Sequence, residues 1–456
     1  MYIVCVGIFI TAYFVISVIV YSVLMISSMP QIIRRYQAEE FGNIGKLLNS
    51  EFSIPISIIM PTYNFGLATL DAVYSVIESD YLNNHLIIVN DGSTDNTLEL
   101  LVDALQLYKV PPAIKQRIQT AKIRGYYRSR IHPNVVLIDK EHSNTGDTMN
   151  AGLNAVRTPL YATVDADTVL EKDALSKIMF AFISKPHCIA VGGSVFIIND
   201  NEIKHGNFVH EPKIPDNLAA AIQTCQYLRS FMFGHIGWNS FGGTLVNPGA
   251  FTLYETQVVM DVGGYDIGNY SQDAEIILKL HAYMLEKKYP YAIDATPTAF
   301  SWTDVPNTFK KLWGQRERWQ RGLLRSFWLH RHMFFNPKYG IVGMFSYPFF
   351  LFFEILYPFV ELAGYSTILL ALQQGNVSFT HMKVVAAFGV GYVLLLTMAS
   401  FAFNSLTFNK YSRWSDVIQI FLIALADLFI LRPFLILDNI VATFRYLFNR
   451  ASGEHI

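Results

Sequence analysis

The stretch "HLIIVNDGSTDNTLELLVDAL" (His85–Leu105) decides the fold class. Its first half is a short β-rich apolar run that ends at the turn residues around Asp91. Its second half carries Leu98, Leu101, Val102 and Leu105 at helical spacing, with Ser93 or Thr94 as the expected cap. A strand, a turn and a helix in immediate succession form the unit of α/β architecture. Upstream, "ISIIM" (Ile56–Met60) reads as a first strand closed by Pro61, followed by a helix from about Leu67 to Ser79. Downstream, "NVVLI" and "LYATVD" resume the sheet, the latter ending at Asp165. The alternation runs from Glu51 to about Trp302. Functional residues of open α/β sheets gather at the carboxyl ends of strands, and those ends carry Asp91, Asp165 and Asp167.

The flanks have a different composition. The chain of 456 residues is 52% hydrophobic and 14% aromatic, which is rich for a purely soluble protein. "YIVCVGIFITAYFVISVIVYSVLMISSM" is long enough to cross a hydrocarbon core of about 30 Å and reads as an uncleaved anchor. Arg34 and Arg35 then hold the following segment on the cytoplasmic side. From about Gly340 the apolar runs resume and suggest about three further spans, the first broken by Pro348 and Pro358. Glu354, Glu361, Asp427 and Arg432 interrupt these runs, where ionisable groups either line a passage or pair between helices.

The net charge of −1 excludes nothing by itself, so local clusters carry the argument. The basic insertion from Lys109 to Arg130 has seven Lys or Arg and no acid; it fits a solvated surface or acidic lipid heads better than nucleic acid. Cys5, Cys188 and Cys225 have neither zinc-ligand nor disulfide-framework spacing and fit a reducing compartment.

"TVDADTVL" sets Asp165 and Asp167 two apart just past a buried strand, so an extended chain aims both carboxylates roughly the same way. Oxygen ligands of this kind suit Mg2+ or Mn2+. "NYSQDAEIILKLH" puts Asp273 near a helix start, where an acid either caps the helix or does chemistry. "LWGQRERWQRGLL" (Leu312–Leu324) is either an interfacial helix anchored by Trp and Arg or a substrate site. Lys310, Lys311, Arg321 and Arg325 fit the anchor reading.

Taken together, "PTYN" (Pro61–Asn64), "VNDGSTDNT", "DADT", "SQDAE" and "QRERW" resemble the successive motifs of family 2 glycosyltransferases. Their order and spacing resemble the membrane-embedded processive branch, which includes cellulose, chitin, hyaluronan and poly-N-acetylglucosamine synthases. "YLRSFMFGHIGWN" and "GAFTLYETQVVMDVGGYD" are similar to bacterial poly-β-1,6-N-acetylglucosamine synthase-like enzymes.

The resemblance implies a Rossmann-like GT-A domain that takes a UDP-sugar, above all UDP-N-acetylglucosamine, and inverts the anomeric carbon. It implies elongation of a β-linked polysaccharide acceptor and its passage across the membrane. Within "PTYN", Pro61, Tyr63 and Asn64 would line the donor site, with Tyr63 and Asp91 around uracil and ribose and Asp165 nearby. Asp167 would bind the metal and Asp273 would be the general base. Gln315 and Arg318 would contact the pyrophosphate, Arg316 would support it, and Trp319 would stack under the acceptor sugar.

Thr145 stands where relatives carry a lysine, so a cation near the nucleotide is missing or is supplied by Lys140 or by an arginine elsewhere. Phe65 and Gly66 stand where relatives often carry acids. The implied layout is an anchor (1–29), a cytoplasmic catalytic domain (51–304), interfacial amphipathic helices (305–338), a transmembrane region (339–440) and a tail (441–456). A multi-pass protein of the plasma or inner membrane follows, with the bilayer and accessory membrane subunits as partners and no nucleic acid. Two other readings use the same motifs: a non-processive transferase adding one sugar to a lipid or glycan, and a catalytically silent nucleotide-binding subunit.

Overall fold

The computed structural model describes residues 2–41, 53–112, 114–375, 379–411 and 413–451. The expected domain start at residue 51 and the end of the tail fall outside them. Strands β1 (Ile56–Thr62) and β2 (Asn84–Asn90) are almost wholly buried, which is why they read as continuous apolar runs rather than as alternation. They are joined by β3 (Leu107–Val110), β4 (Ile123–Ser129), β5 (Val135–Lys140), β6 (Leu160–Val164), β7 (Thr168–Leu170) and β8 (Cys188–Ile197). A small ribbon of β9 (Ile203–Lys204) and β10 (Asn207–Phe208) precedes β11 (Phe251–Glu255) and β12 (Ala292–Thr303). The main sheet has ten strands in the order β3-β4-β5-β2-β1-β6-β11-β8-β12-β7.

The centre of that sheet is parallel. β1 pairs with β2 and β6, and β2 pairs with β5. The chain therefore runs outward from β1 through β2 to the edge strand β3, comes back through β4 to β5, and crosses to the other side of β1 as β6. Such a reversal opens a crevice at the carboxyl ends of the strands. Thr62 is level with Asn90, and Asn90 with Asp139, so the residues that follow β1, β2 and β5 emerge side by side.

Pro61 does not close β1 as expected; the strand continues to Thr62. The physical reason is that β6 pairs with β1 only as far as Ile59, so the N–H missing from Pro61 breaks no bond on that side. Ser93 and Thr94 do not cap the next helix either, since it begins at Thr97 after Asn96. The basic insertion contributes β3 and β4 to one edge of the sheet, where Arg130 lies over the Tyr108 ring.

Helices cover both faces: α1 (Tyr2–Phe41) lies before the sheet, and α2 (Ala68–Ile77), α3 (Thr97–Ala104), α4 (Thr145–Ala155) and α5 (Ala174–Ser184) within it. They are followed by α6 (Leu218–Arg229), α7 (Gln272–Lys287) and α8 (Phe309–Leu329). The period of two along a strand sorts the core into two layers. Ile58, Met60, Leu86 and Ile88 pack with Val73, Val76, Leu175 and Ile178 on one face. Ile59, Ile87 and Val89 pack with Met149, Leu153, Ile276 and Leu280 on the other. Each such side chain contributes roughly 1.5–3 kcal/mol relative to exposure.

Three helical stretches are long and apolar enough to cross a membrane: Cys5–Glu39, Ala387–Phe408 and Trp414–Phe448. Helices α9 (Val342–Ile355) and α10 (Tyr357–Gln373) form a pair bent by 50°, which counts as a fourth if taken as one span. Pro358 at the start of α10 and the π-helical turn Phe350–Ile355 account for the bend. The remaining helices are α11 (Phe379–Phe408), α12 (Trp414–Ala426) and α13 (Arg432–Ala451), the last two joined by π-helical Asp427–Leu431. Of the two readings for the ionisable groups here, pairing is what the structure contains. Arg432 Nε meets both Glu361 oxygens at 3.0 Å, Tyr21 donates to Glu354 at 2.5 Å, and Arg229 pairs with Asp427 at 2.7 Å. The carboxyl end of α1 is fixed to the sheet by Arg35 on Asp294 at 2.9 Å and by Thr298 donating to Glu39 at 2.5 Å.

Candidate active site

The carboxyl ends of β1, β2 and β5 build one end of the crevice. Tyr63, just past β1, is 38% exposed and stacks on His142, with ring centroids 4.2 Å apart. Asn64 takes a left-handed conformation (φ 58°), which asparagine tolerates better than most residues. Its side-chain oxygen accepts from the Thr94 N–H at 2.8 Å, and its own N–H donates to Ser93 Oγ at 3.1 Å. Asn64 therefore ties the loops after β1 and β2 together, and Ser93 and Thr94 are used there rather than as a cap. Pro61 lies two residues before Tyr63, within β1.

Asp91, just past β2, is buried. Lys140, the last residue of β5, places Nζ 2.5 Å from Asp91 Oδ1, 2.9 Å from Asp147 Oδ1 and 2.6 Å from Ser143 Oγ. The Ser143 N–H also donates to Asp91 at 3.2 Å. Lys140 is thus the cation beside Asp91, while Thr145 is exposed at the first position of α4.

The acids gather at the other end. Asp165 and Asp167 follow β6, and β7 starts at the next residue. Thr303 of β12 donates to Asp167 Oδ1 at 3.2 Å. Asp273 sits in the first turn of α7 against Gly249, whose N–H it accepts; the Gly249 carbonyl accepts in turn from Thr163 at 3.0 Å. Burial, then Asp167 and Asp273, hold the Asp165 carboxyl well above the usual range. Burial and then Asp304 do the same for Asp167, against hydrogen bonds from Thr303 and Thr168. Burial raises Asp273 as well.

The electrostatic neighbours that raise Asp165 and Asp167 are acidic, so this pocket is short of positive charge. An oxygen-rich site of that kind suits a hard divalent cation. Among the described residues no three His, Cys, Asp or Glu side chains converge as a complete metal site. The fit is therefore to an ion that takes one or two carboxylates and fills its shell from a bound phosphate or water.

Helix α8 carries the "QRERW" segment along the crevice. Arg316 lies over the Trp319 ring at 4.5 Å and donates to Gln226 at 3.1 Å. Trp319 is 37% exposed, Arg318 is exposed, and the buried Gln315 Oε1 has no hydrogen-bond partner. Two of the residues expected to seat the helix on lipid are engaged within the protein. Arg325 pairs with Asp266 at 3.1 Å; Arg321 reaches Glu317 at 3.8 Å and the Tyr270 ring at 5.5 Å.

Residues 57–241 match glycosyl transferase family 2, and residues 162–409, more than half of the chain, match glycosyl transferase family group 2. The chain belongs to glycosyl transferase family group 2. It is 28% identical over 280 residues to the poly-beta-1,6-N-acetyl-D-glucosamine synthase of Staphylococcus epidermidis, covering 60% of this chain and 56% of that one. The synthase of the same description from Staphylococcus aureus (strain COL) is 27% identical over 279 residues, with the same coverage. The match thus spans a little over half the length of these curated relatives. Among solved structures, the mannosyltransferase PcManGT from Pyrobaculum calidifontis, in complex with GDP-Man and Mn2+, superposes with a TM-score of 0.51. That likeness covers 90% of this chain and 99% of the other at 14% identity, and it is a likeness of fold.

Within this member of the family, two residues given no role by the motifs stand among those that have one: Tyr227, which opens the "YLRSFMFGHIGWN" stretch, and Asp304. Tyr227 of α6 is half-buried; burial raises its hydroxyl, Arg316 pulls it down, and Asp167 and Asp165 push it up again. Asp304, just past β12, adds a further carboxylate beside Asp167. In the sequence, the helical run around Tyr227 gives no sign of which strand it faces. Asp304 carries a weak signal, since it follows a long apolar strand as Asp165 does.

Proposed function

We propose that this chain is an inverting glycosyltransferase that takes a sugar from UDP-N-acetylglucosamine and elongates a β-linked polysaccharide processively, passing it across the membrane. The observation that carries the reading is the meeting of three sequence-distant motifs around Tyr227. Asp165 and Asp167 act on it from β6 and Arg316 from α8, while Asp273 acts on Asp165 from α7. The activity for which the staphylococcal relatives are named supports the donor sugar and the polymeric product. The apolar helices on both sides of the sheet support passage through the bilayer.

In this reading Tyr63 and Asp91 hold the nucleoside, with Lys140 paired to Asp91 and fixing its orientation. Gln315 and Arg318 hold the diphosphate, to which a guanidinium offers directional, charge-assisted bonds. Trp319 offers a flat face to the acceptor sugar. Asp273 takes the proton of the attacking hydroxyl, and burial makes its carboxylate a stronger base than an exposed one. Asp167, with Asp165, would hold Mg2+ or Mn2+, which supplies charge neutralisation for a departing diphosphate. The proposed layout is an anchor at 1–29, a cytoplasmic domain at 51–304, an interfacial segment at 305–338 and spans within 339–440. The protein is multi-pass in the plasma or inner membrane.

The test uses purified protein in lipid with UDP-N-acetylglucosamine, UDP-glucose or UDP-glucuronate and Mg2+ or Mn2+, reading UDP release and product length. The expected result is UDP and long polymer from the first donor, both lost in Asp273→Asn. Single-sugar products would select a non-processive transferase, and donor binding without UDP release would select a silent subunit.

A further inference from the structure

Arg316 is held by the glutamines of α6. Its Nη2 donates to Gln226 Oε1 at 3.1 Å and more weakly to Gln223 Oε1 at 3.4 Å, both on α6. The amide of Gln226 also faces Asp427, with Nε2 3.5 Å from Oδ1. A carboxamide is the uncharged side chain suited to this place, because one end accepts from a guanidinium while the other donates to a carboxylate.

Asp427 is buried and pairs with Arg229 Nη2 at 2.7 Å; Arg229 Nη1 donates to Thr397 at 2.6 Å. Asp427 begins the π-helical turn between α12 and α13, and Thr397 lies on α11. Both therefore belong to helices apolar enough to cross a membrane. A buried ion pair is weak as a source of stability, because desolvation offsets most of its attraction. What it does well is fix geometry.

We propose that the Asp427–Arg229 pair, acting through Gln226, is a positioning element that sets the Arg316 guanidinium over Trp319 beside the acid pocket. The support that Arg316 gives to the diphosphate site rests on the proposed function; its placement by Asp427 does not.

Full-length protein in lipid nanodiscs tests this with two readouts. With 5-fluorotryptophan incorporated and the Trp319 signal assigned by Trp319→Phe, fluorine NMR should show that signal moving in Asp427→Asn and in Gln226→Glu. The Trp328 signal, at the far end of α8, should stay. Asp427→Glu should return Trp319 to its wild-type shift. In the transfer assay, Asp427→Asn should lower kcat about tenfold with the donor KM within about twofold, and should add no further loss in an Arg316→Ala background. An unmoved Trp319 signal in Asp427→Asn overturns the proposal, as do losses that multiply in the double variant. If wild-type protein turns over no donor, the functional reading fails, and the Trp319 signal still decides the positioning role.

Discussion

The hydroxyl of Ser271 donates to the main-chain carbonyl of Trp319 across 3.2 Å, so the residue two before Asp273 is bonded directly to the "QRERW" helix. The contact is close because position 322 is glycine: a Cβ there would overlap the Ser271 backbone nitrogen and Oγ. Asn269 reinforces it by donating to Ser326 Oγ at 2.8 Å. The proposed base and the proposed acceptor platform are thus parts of one rigid joint.

Gly322→Ala should therefore push the Asn269–Asp273 segment away from α8. The expected cost is about 1–3 kcal/mol in unfolding free energy, with sugar transfer falling further than stability alone explains. Gly314→Ala in the same helix is the control. Its Cβ would meet only Arg318 at 3.8 Å, and its thermal midpoint should stay or rise.

Asp273→Asn should remove about 10²–10⁴-fold of the transfer rate while donor binding, followed by calorimetry, stays close to wild type. The pH profile carries a sign. Burial raises the Asp273 carboxyl, and a base must be ionised, so the rate should fall with falling pH through a midpoint above the ordinary value of about 3.9. A midpoint at or below that value would contradict the buried-base role.

Lys140→Met leaves Asp91 and Asp147 buried without their shared cation. Breaking a buried pair on one side costs about 3–5 kcal/mol, measurable as a loss of thermal midpoint in detergent. Adding Thr145→Lys should not restore it. Position 145 is exposed at the start of α4, where a cation meets the positive end of the helix dipole.

His281 gives a pH dependence of stability. Its ring is buried between the Thr244 carbonyl and the Tyr291 hydroxyl, each at 2.7 Å, and burial pushes its pKa down to about 4. The unfolded chain takes up the proton near pH 6.5 and the folded chain does not, so stability is full above that pH and is lost between about 6.5 and 4. The loss is on the order of 3 kcal/mol, and His281→Gln should flatten it in thermal melts across that window.

Much of the site lies where strands end, and strand ends are local. The apolar runs before Asp91 and Asp165 and the turn residues after them suffice to place both acids at the carboxyl ends of strands. The structure adds what spacing does not encode. Lys140 serves Asp91 because β5 pairs with β2, a neighbour relation set by strand order rather than by sequence distance. Gln226 reads as an ordinary helical residue, and Tyr227 as the start of a resembling stretch with no role attached, until α6 is seen between the acids and the apolar helices. Pro61 reads as a strand end because its effect depends on how far β6 runs beside it.

The "QRERW" segment marks the same boundary. By itself the sequence determined that this stretch is an amphipathic helix rich in arginine and tryptophan at the edge of an apolar region, since periodicity and composition are local properties. Only the tertiary structure decided how its charges are spent. Arg325 meets Asp266, Glu317 meets Arg445 of α13 and Arg316 meets Gln226, leaving Arg318 and Trp319 exposed. Which charge finds a partner depends on which element packs against each face of the helix, and that is settled by the burial of the whole chain.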